Sequence, residues 1–317
     1  MSDCDSVGKE ITGVILSAGK GSRIDPFNAH FPKPLLPIGN KPIMEHHLDL
    51  FKSIGIKQVH IVVGHLMDRI INQFGRGSEL GMDIQYVEQE HILGIAHAVG
   101  RIESRVDGPF LLCLGDIFFL TQNFHRLVER YQRGDVAAVL AVKEESSVEP
   151  VKRNFTVETD EDGYVKRVVE KPRSPRTLIK GCGIYLFGPE IFDAIRRTPR
   201  TALRDEYEIT NSIQLLIEDG YKVATEPVID WDLNVTFPSD LVDGNLAWLD
   251  RLGVENLVDP TAQISGAVDL HQCIIGRGVH IQGPRRLSQS VVLPHTILQP
   301  GEDLHRCLVS KDLIARC

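Results

Sequence analysis

From Thr12 to Leu114 the chain alternates short, unbroken apolar runs with stretches of helical spacing, and this alternation restricts the fold more than any other feature. Ile11–Ser17 (ITGVILS), Val59–Val63 (VHIVV) and Phe110–Leu114 (FLLCL) are strand-length and largely apolar, and Ile84–Val87 is a further strand. Such strands must be buried on both faces. Helical spacing covers Pro42–Ile54, which Gly55 stops, then Met67–Phe74 and Ala96–Ile102. The pattern predicts an α/β layered domain built on a mostly parallel sheet. Beyond Asp135 the strands Val136–Val142, Asn154–Glu158, Tyr164–Val169 and Ile184–Phe187 follow, with a hairpin turn at Asp160–Gly163. Helices at Glu190–Arg197 and Ile209–Asp219 complete what reads as an insertion that finishes a pocket wall. Leu241–Leu252 is a helix leading out of the domain.

After Val254 helical periodicity is lost. Apolar residues recur about every six positions, at Val258, Ile264 and Leu270, then Ile275 and Ile281, then Val292, Leu298 and Leu304. A period of six is the signature of a parallel β-helix with three hexapeptides per coil. The expected organisation is a catalytic domain at 1–246, a linking helix and turn at 247–256, and a β-helix at 257–317.

Bulk properties narrow the function classes. Net charge is −8, from 35 Lys+Arg against 43 Asp+Glu, which argues against a general nucleic-acid or acidic-membrane binder. A small anionic substrate needs only one local cluster of cations. No apolar run reaches the length of a membrane span, and the N-terminus lacks the basic-then-apolar pattern of a signal peptide, so the cytoplasm is the expected compartment. The six cysteines, Cys4 among them, have no zinc-ligand spacing and read as reduced thiols.

The chemistry concentrates in Leu16–Pro34, LSAGKGSRIDPFNAHFPKP. Gly19 and Gly21 let a turn after the first strand approach an anion, because no Cβ stands between its amides and a phosphate. Arg23 follows, and Lys33 stands between Pro32 and Pro34. A glycine turn with two fixed cations is a triphosphate cradle in physical terms. The spacing is neither GxGxxG nor Walker A.

This segment resembles the signature of the sugar-1-phosphate nucleotidyltransferases, with Gly19, Gly21, Arg23, Pro26, Pro32, Lys33 and Pro34 in register. Further matches follow in family order: Gly64, Gln89 with Gly94 and Ala98, Leu114–Gly115–Asp116, Glu170–Lys171–Pro172, Gly183–Ile184–Tyr185, Glu208–Ile209–Thr210 and Pro238–Ser239–Asp240–Leu241. The resemblance implies a Rossmann-like layered sheet of the nucleotide-diphospho-sugar transferase type and a small C-terminal left-handed parallel β-helix. It implies transfer of a nucleotidyl group from a nucleoside triphosphate, UTP or dTTP, to a sugar 1-phosphate with Mg2+, releasing pyrophosphate. By resemblance Arg23 contacts the pyrophosphate, and Lys33 reaches the α-phosphate and sugar phosphate. Leu16, Ala18, Gly19, Gly21, Gln89, Gly94 and Ile95 bind the nucleotide; Glu170, Lys171 and Gly183 bind the sugar phosphate. Asp116, at the exit of an apolar strand, is the first magnesium ligand, and either Asn234 or Asp232 is the second.

Two departures bear on the acceptor. Asn154–Phe155 stands where the family has Tyr-Gly, and Gly181–Cys182–Gly183 where many members have Asn-Thr-Gly, which suggests a sugar other than ordinary glucose or a shifted pose. A cytidylyltransferase for another phosphorylated acceptor and a catalytically silent subunit of the same fold are the alternatives. The tail is expected to build a homo-oligomer, and a stop at Val254 to leave the roles of Arg23, Lys33 and Asp116 intact.

Overall fold

The computed structural model describes residues 11–19, 21–24, 27, 31–202, 205–311 and 313–317; Cys4 and Pro26 lie outside them. The described residues form two units, neither continuous in sequence: 11–19 with 47–232, and 21–46 with 233–317.

The first unit is a nine-stranded sheet. Its strands are β1 (Thr12–Ser17), β2 (Gln58–Val63), β3 (Asp83–Glu88), β4 (Phe110–Leu114), β5 (Ala138–Glu144), β6 (Phe155–Thr159), β7 (Val165–Glu170), β8 (Ile179–Phe187) and β9 (Val223–Glu226). Their order is β7-β6-β8-β4-β1-β2-β3, with β5 beside β8 and β9 beside β5. The apolar runs form the parallel core β4-β1-β2-β3, and β9 runs parallel to β5. Antiparallel pairing centres on β8, which meets β5 along one edge and β4 and β6 along the other. Val14, Val62, Leu112, Tyr185 and Phe187 are buried in one cluster with Ile191 and Ile213 of the helices Ile191–Arg197 and Ile209–Glu218. An aromatic row, Phe155–Tyr185–Phe187–Phe110–Phe192, crosses this core with neighbouring centroids 5.3–6.0 Å apart.

The second unit contains the parallel β-helix. Strand registers give Ile274↔Val291↔Leu308, Ile264↔Ile281↔Leu298 and Leu270↔Leu287↔Leu304, so each coil has 17 residues where three full hexapeptides would need 18. The shortened side runs Leu270–Ile275, Leu287–Val292 and Leu304–Val309. There the chain turns through left-handed residues, Gln272 (φ 51°), Gln289 (φ 48°) and Arg306 (φ 48°). A left-handed residue reverses direction within one position and saves a residue per coil. The Gln289 side chain donates to Gln272 Oε1 at 2.9 Å, which helps offset the cost of that conformation. Ile314–Arg316 folds back antiparallel on Cys307–Val309 and covers the last strand of that side. At the other end the first coil stays open, with Val258 and Ile264 38% and 40% exposed.

In the same unit the helix Pro238–Leu252 and the β-helix hold the short hairpin formed by Pro37–Ile38 and Lys41–Pro42. Asn245 Oδ1 accepts from Gly39 N at 2.9 Å, and Asn40 Nδ2 donates to Ile275 O at 2.9 Å. Gly39 (φ 61°) lies flat against the Trp248 indole, where any Cβ would clash.

Candidate active site

In the first unit the parallel strands deliver their C-terminal ends to one edge of the sheet, the usual location of ligands in open α/β folds. Leu16, Ala18 and Gly19 close β1, Gly64 follows β2, Gln89 follows β3, and Gly115–Asp116 follow β4. Gly64 is required by sterics, since a Cβ there would stand 2.8 Å from Ala18 O. Gly115 N donates to Leu16 O at 2.9 Å, which continues the ladder to the residue before half-buried Asp116. The antiparallel β8 brings Gly183 to the same edge, where a side chain would strike Ile117 and Leu114. Across β7-β6-β8 the residues Glu170, Phe155 and Gly181 stand side by side in register. Lys171 follows Glu170 with φ 41°, its N–H held by Asn154 O at 2.7 Å and its ammonium 3.9 Å from the Glu170 carboxylate. The strand order thus collects the proposed nucleotide and sugar residues of this unit at one edge.

Gln89 is buried, and its amide Nε2 lies 2.9 Å from His97 Nδ1. Five residues on, Gly94 adopts φ 107°, where an added Cβ would stand 2.6 Å from Tyr207 O. Tyr207 N donates to Leu93 O and Ala96 N to Tyr207 O, so the Tyr207 backbone clamps the loop on both sides of Gly94. Ile95, half-buried, opens the helix Ile95–Gly100.

The two family departures prove to be coupled. Phe155 is buried over Gly181, its ring filling the space that any side chain at 181 would need, and it stacks on Tyr185 at 6.0 Å. The exchange of glycine for phenylalanine on β6 is matched by the bare backbone on β8.

One cluster was not foreseen from the sequence. Buried Lys180 pairs with Glu145 at 2.6 Å and with Asp232 at 2.7 Å, while Lys143 lies 3.5 and 4.0 Å from the same two carboxylates. Burial works against the charged form of Glu145, yet the Lys180 ammonium outweighs it and holds the carboxyl below its ordinary value. Burial likewise opposes charge on Lys180, and Asp232 and Glu145 more than restore it. A lysine just ahead of the apolar run Ile184–Phe187 of β8 is the only local signal; its partners, 35 residues before and 52 after, leave no local trace.

In the second unit Gly21 takes φ 65°, and a Cβ there would stand 2.8 Å from Lys33 Cγ. The Lys33 stem therefore lies across the bare Gly21 backbone, and the residue is buried. Arg23, in the short turn Ser22–Ile24, is exposed. Asn234, at the end of Trp231–Asn234, is exposed as well, and Asp240 beyond it accepts from Thr236 N and Phe237 N at 2.7 Å to cap the next helix. Asp116 and Asp232 belong to the first unit, and Asn234 to the second. Among the described residues no three His, Cys, Asp or Glu side chains form a metal-holding group.

The family model for nucleotidyl transferase matches residues 12–261. The chain is 36% identical over 262 residues to the low-salt glycan biosynthesis nucleotidyltransferase Agl11 of Haloferax volcanii, covering 81% of this chain and 72% of the relative. It is 31% identical over 292 residues to the glucose-1-phosphate thymidylyltransferase of Streptomyces antibioticus, covering 92% of this chain and 78% of the relative. A solved structure of UDP-glucose pyrophosphorylase complexed with UDP-glucose superimposes with a TM-score of 0.69 at 20% identity, over 77% of this chain and all of that one, and so shares the fold.

Proposed function

Because this chain belongs to the nucleotidyl transferase family, we propose that it joins UTP or dTTP to a sugar 1-phosphate. A sugar phosphate oxygen attacks the α-phosphorus, the bond to the β,γ-phosphates breaks, and pyrophosphate leaves with the electron pair. The protein's part is to hold the reactants in line and neutralise charge on their oxygens. Arg23 takes the pyrophosphate, Lys33 the α-phosphate and sugar phosphate, and the backbone at Leu16, Ala18, Gly19 and Gly21 the nucleotide. Glu170 takes sugar hydroxyls, Lys171 the sugar phosphate, and the bare backbone of Gly183 lies along the sugar.

The choice of base rests on one observation. A buried amide, Gln89, stands at a strand exit five residues before Gly94, where the loop carries no side chain. A flat backbone beside a fixed amide suits a pyrimidine. Magnesium, when bound, supplies positive charge to the triphosphate oxygens. The donor chemistry fits: the Asp116 carboxylate and the Asn234 amide oxygen are hard ligands, and magnesium takes its remaining ligands from water and phosphate. The Lys180 pair supports Asn234 over Asp232 as the second ligand, since the Asp232 carboxylate already balances a buried ammonium. The cytoplasm, where nucleoside triphosphates are made, is the matching compartment.

Pyrophosphate release with five nucleoside triphosphates against a panel of sugar phosphates tests the reading. UTP or dTTP is expected to exceed ATP and GTP in kcat/KM by about 10²-fold or better. A preference for GTP or ATP would refute it.

The open first coil of the β-helix supports a homo-oligomer through the tail, because Val258 and Ile264 leave an apolar end uncovered. The double substitution Val258→Asp and Ile264→Asp is expected to lower the mass measured by light scattering. A monomeric mass for the unaltered chain ends this part of the proposal.

A further inference from the structure

The turn that carries Asp116 is tied down on both sides, and one of the ties comes from a side chain that the reading above leaves unused. Ahead of Asp116, Gly115 N donates to Leu16 O at 2.9 Å. Behind it, Ile117 O accepts from His47 Nε2 at 2.8 Å, across 70 residues of sequence. His47 lies on the helix Ile43–Ser53 and is 1% exposed. Its imidazole stacks on Phe119 with centroids 5.5 Å apart and planes at 21°, and Phe119 stacks in turn on buried Phe124. A carbonyl oxygen only accepts, so the bonded ring nitrogen carries a proton whether the ring is neutral or charged. Asp116 itself belongs to neither of the strands around it, Phe110–Leu114 and Ile117–Leu120. The second of these is no longer part of the main sheet; Leu120 O accepts from Asp230 N at 3.0 Å, and Phe118 meets Trp231 edge-on at 6.2 Å.

We propose that His47 is a positioning residue for magnesium: by holding the Ile117 carbonyl it fixes the backbone on the far side of Asp116 and so aims the carboxylate at the metal. The inference rests on the magnesium reading above. Magnesium demands near-ideal octahedral geometry, so a ligand already ordered before the ion arrives binds better than one that must be ordered by it. With segment 115–117 held at both ends, Asp116 has little backbone rotation left to lose. An apolar side chain at 47 would leave the buried Ile117 carbonyl unpaired. That peptide would then turn toward another donor and carry the Asp116 carboxylate with it.

The test measures the dissociation constant of the nucleoside triphosphate that the kinetic panel selects, without sugar phosphate, once in magnesium and once in EDTA. Titration calorimetry suffices, and the ratio of the two constants reports what magnesium adds to binding with no turnover involved. His47→Phe keeps a ring on Phe119 and loses the donor; His47→Leu serves where the ring variant does not fold. Either is expected to reduce the ratio about tenfold, the usual loss when a partner that orients a metal ligand is removed. The constant in EDTA should stay as it is in the unaltered protein. His47→Gln places an amide N–H near the position of Nε2 and should retain most of the ratio. A folded Phe or Leu variant with the original ratio, or one that weakens binding equally in magnesium and EDTA, overturns the inference alone. So does a glutamine variant as impaired as leucine. A ratio unmoved by Asp116→Ala overturns the magnesium assignment and the inference with it.

Discussion

Lys33→Met is expected to lower kcat/KM by about 10²-fold or more, because removal of one fixed charge from a transition state of phosphoryl transfer costs roughly 3 kcal/mol. Methionine is the informative replacement. The Lys33 stem covers Gly21, so an alanine would remove packing as well as charge, whereas methionine keeps most of the stem. The melting temperature should therefore move little while catalysis falls. Gly21→Ala should reproduce part of the loss with the lysine still in place, since its Cβ would displace Lys33 and its φ of 65° is costly for any other residue. Steady-state kinetics on the folded variants decide it. Unchanged kcat/KM in Lys33→Met would remove this residue from the phosphate site.

Asp116→Ala is expected to lower kcat by about 10² or more at saturating magnesium, with the fold retained. The fold should survive because the strand ahead of it, Phe110–Leu114, is anchored by four buried residues and by pairing with β1, none of which involves the carboxylate. Asp116→Asn separates charge from coordination. It keeps an oxygen donor but removes the negative charge, so the apparent magnesium requirement should rise along with the loss in kcat. A folded Asp116→Ala with near-normal turnover at low magnesium would sink the metal assignment.

Much of the fold was legible because it rests on local patterns. The runs at Ile11–Ser17, Val59–Val63 and Phe110–Leu114 lie in the parallel core, as largely apolar strands require, and Ile84–Val87 lies in its half-exposed edge strand. The β-helix was legible from its spacing, while the 17-residue coil was hidden in the five-residue steps at Leu270–Ile275 and Leu287–Val292. Elements without a pattern were missed. Val223–Glu226 is too short, and Ile179–Gly183 carries a lysine and two glycines where a strand would be apolar. Of the site, the positions proposed for phosphate and magnesium come from the glycine-and-cation spacing and the resemblance, and they stand as proposals. The contacts between side chains were not legible, because Lys180 with Asp232, Phe155 with Gly181 and Gln89 with His97 are joined by folding and by no sequence period.

The Gly39–Asn40 turn gives the β-helix a second duty. Asn40 reaches Ile275 in the second coil, and Gly39 is seated against Trp248 and bonded to Asn245. The same stretch of chain, 21–46, carries Arg23 and Lys33. The tail is therefore a brace for the cationic loop as well as an apolar end. A stop at Val254, expected from the sequence to spare the catalytic residues, severs the Asn40 bond and strips the coil from beside Asp243, whose carboxylate pairs with Arg306 at 2.7 Å. Such a truncation confounds assembly with loop anchoring. Lost activity in it would report a slackened loop as readily as a lost partner, and the two are told apart by Asn40→Ala, which cuts the brace and leaves every coil in place.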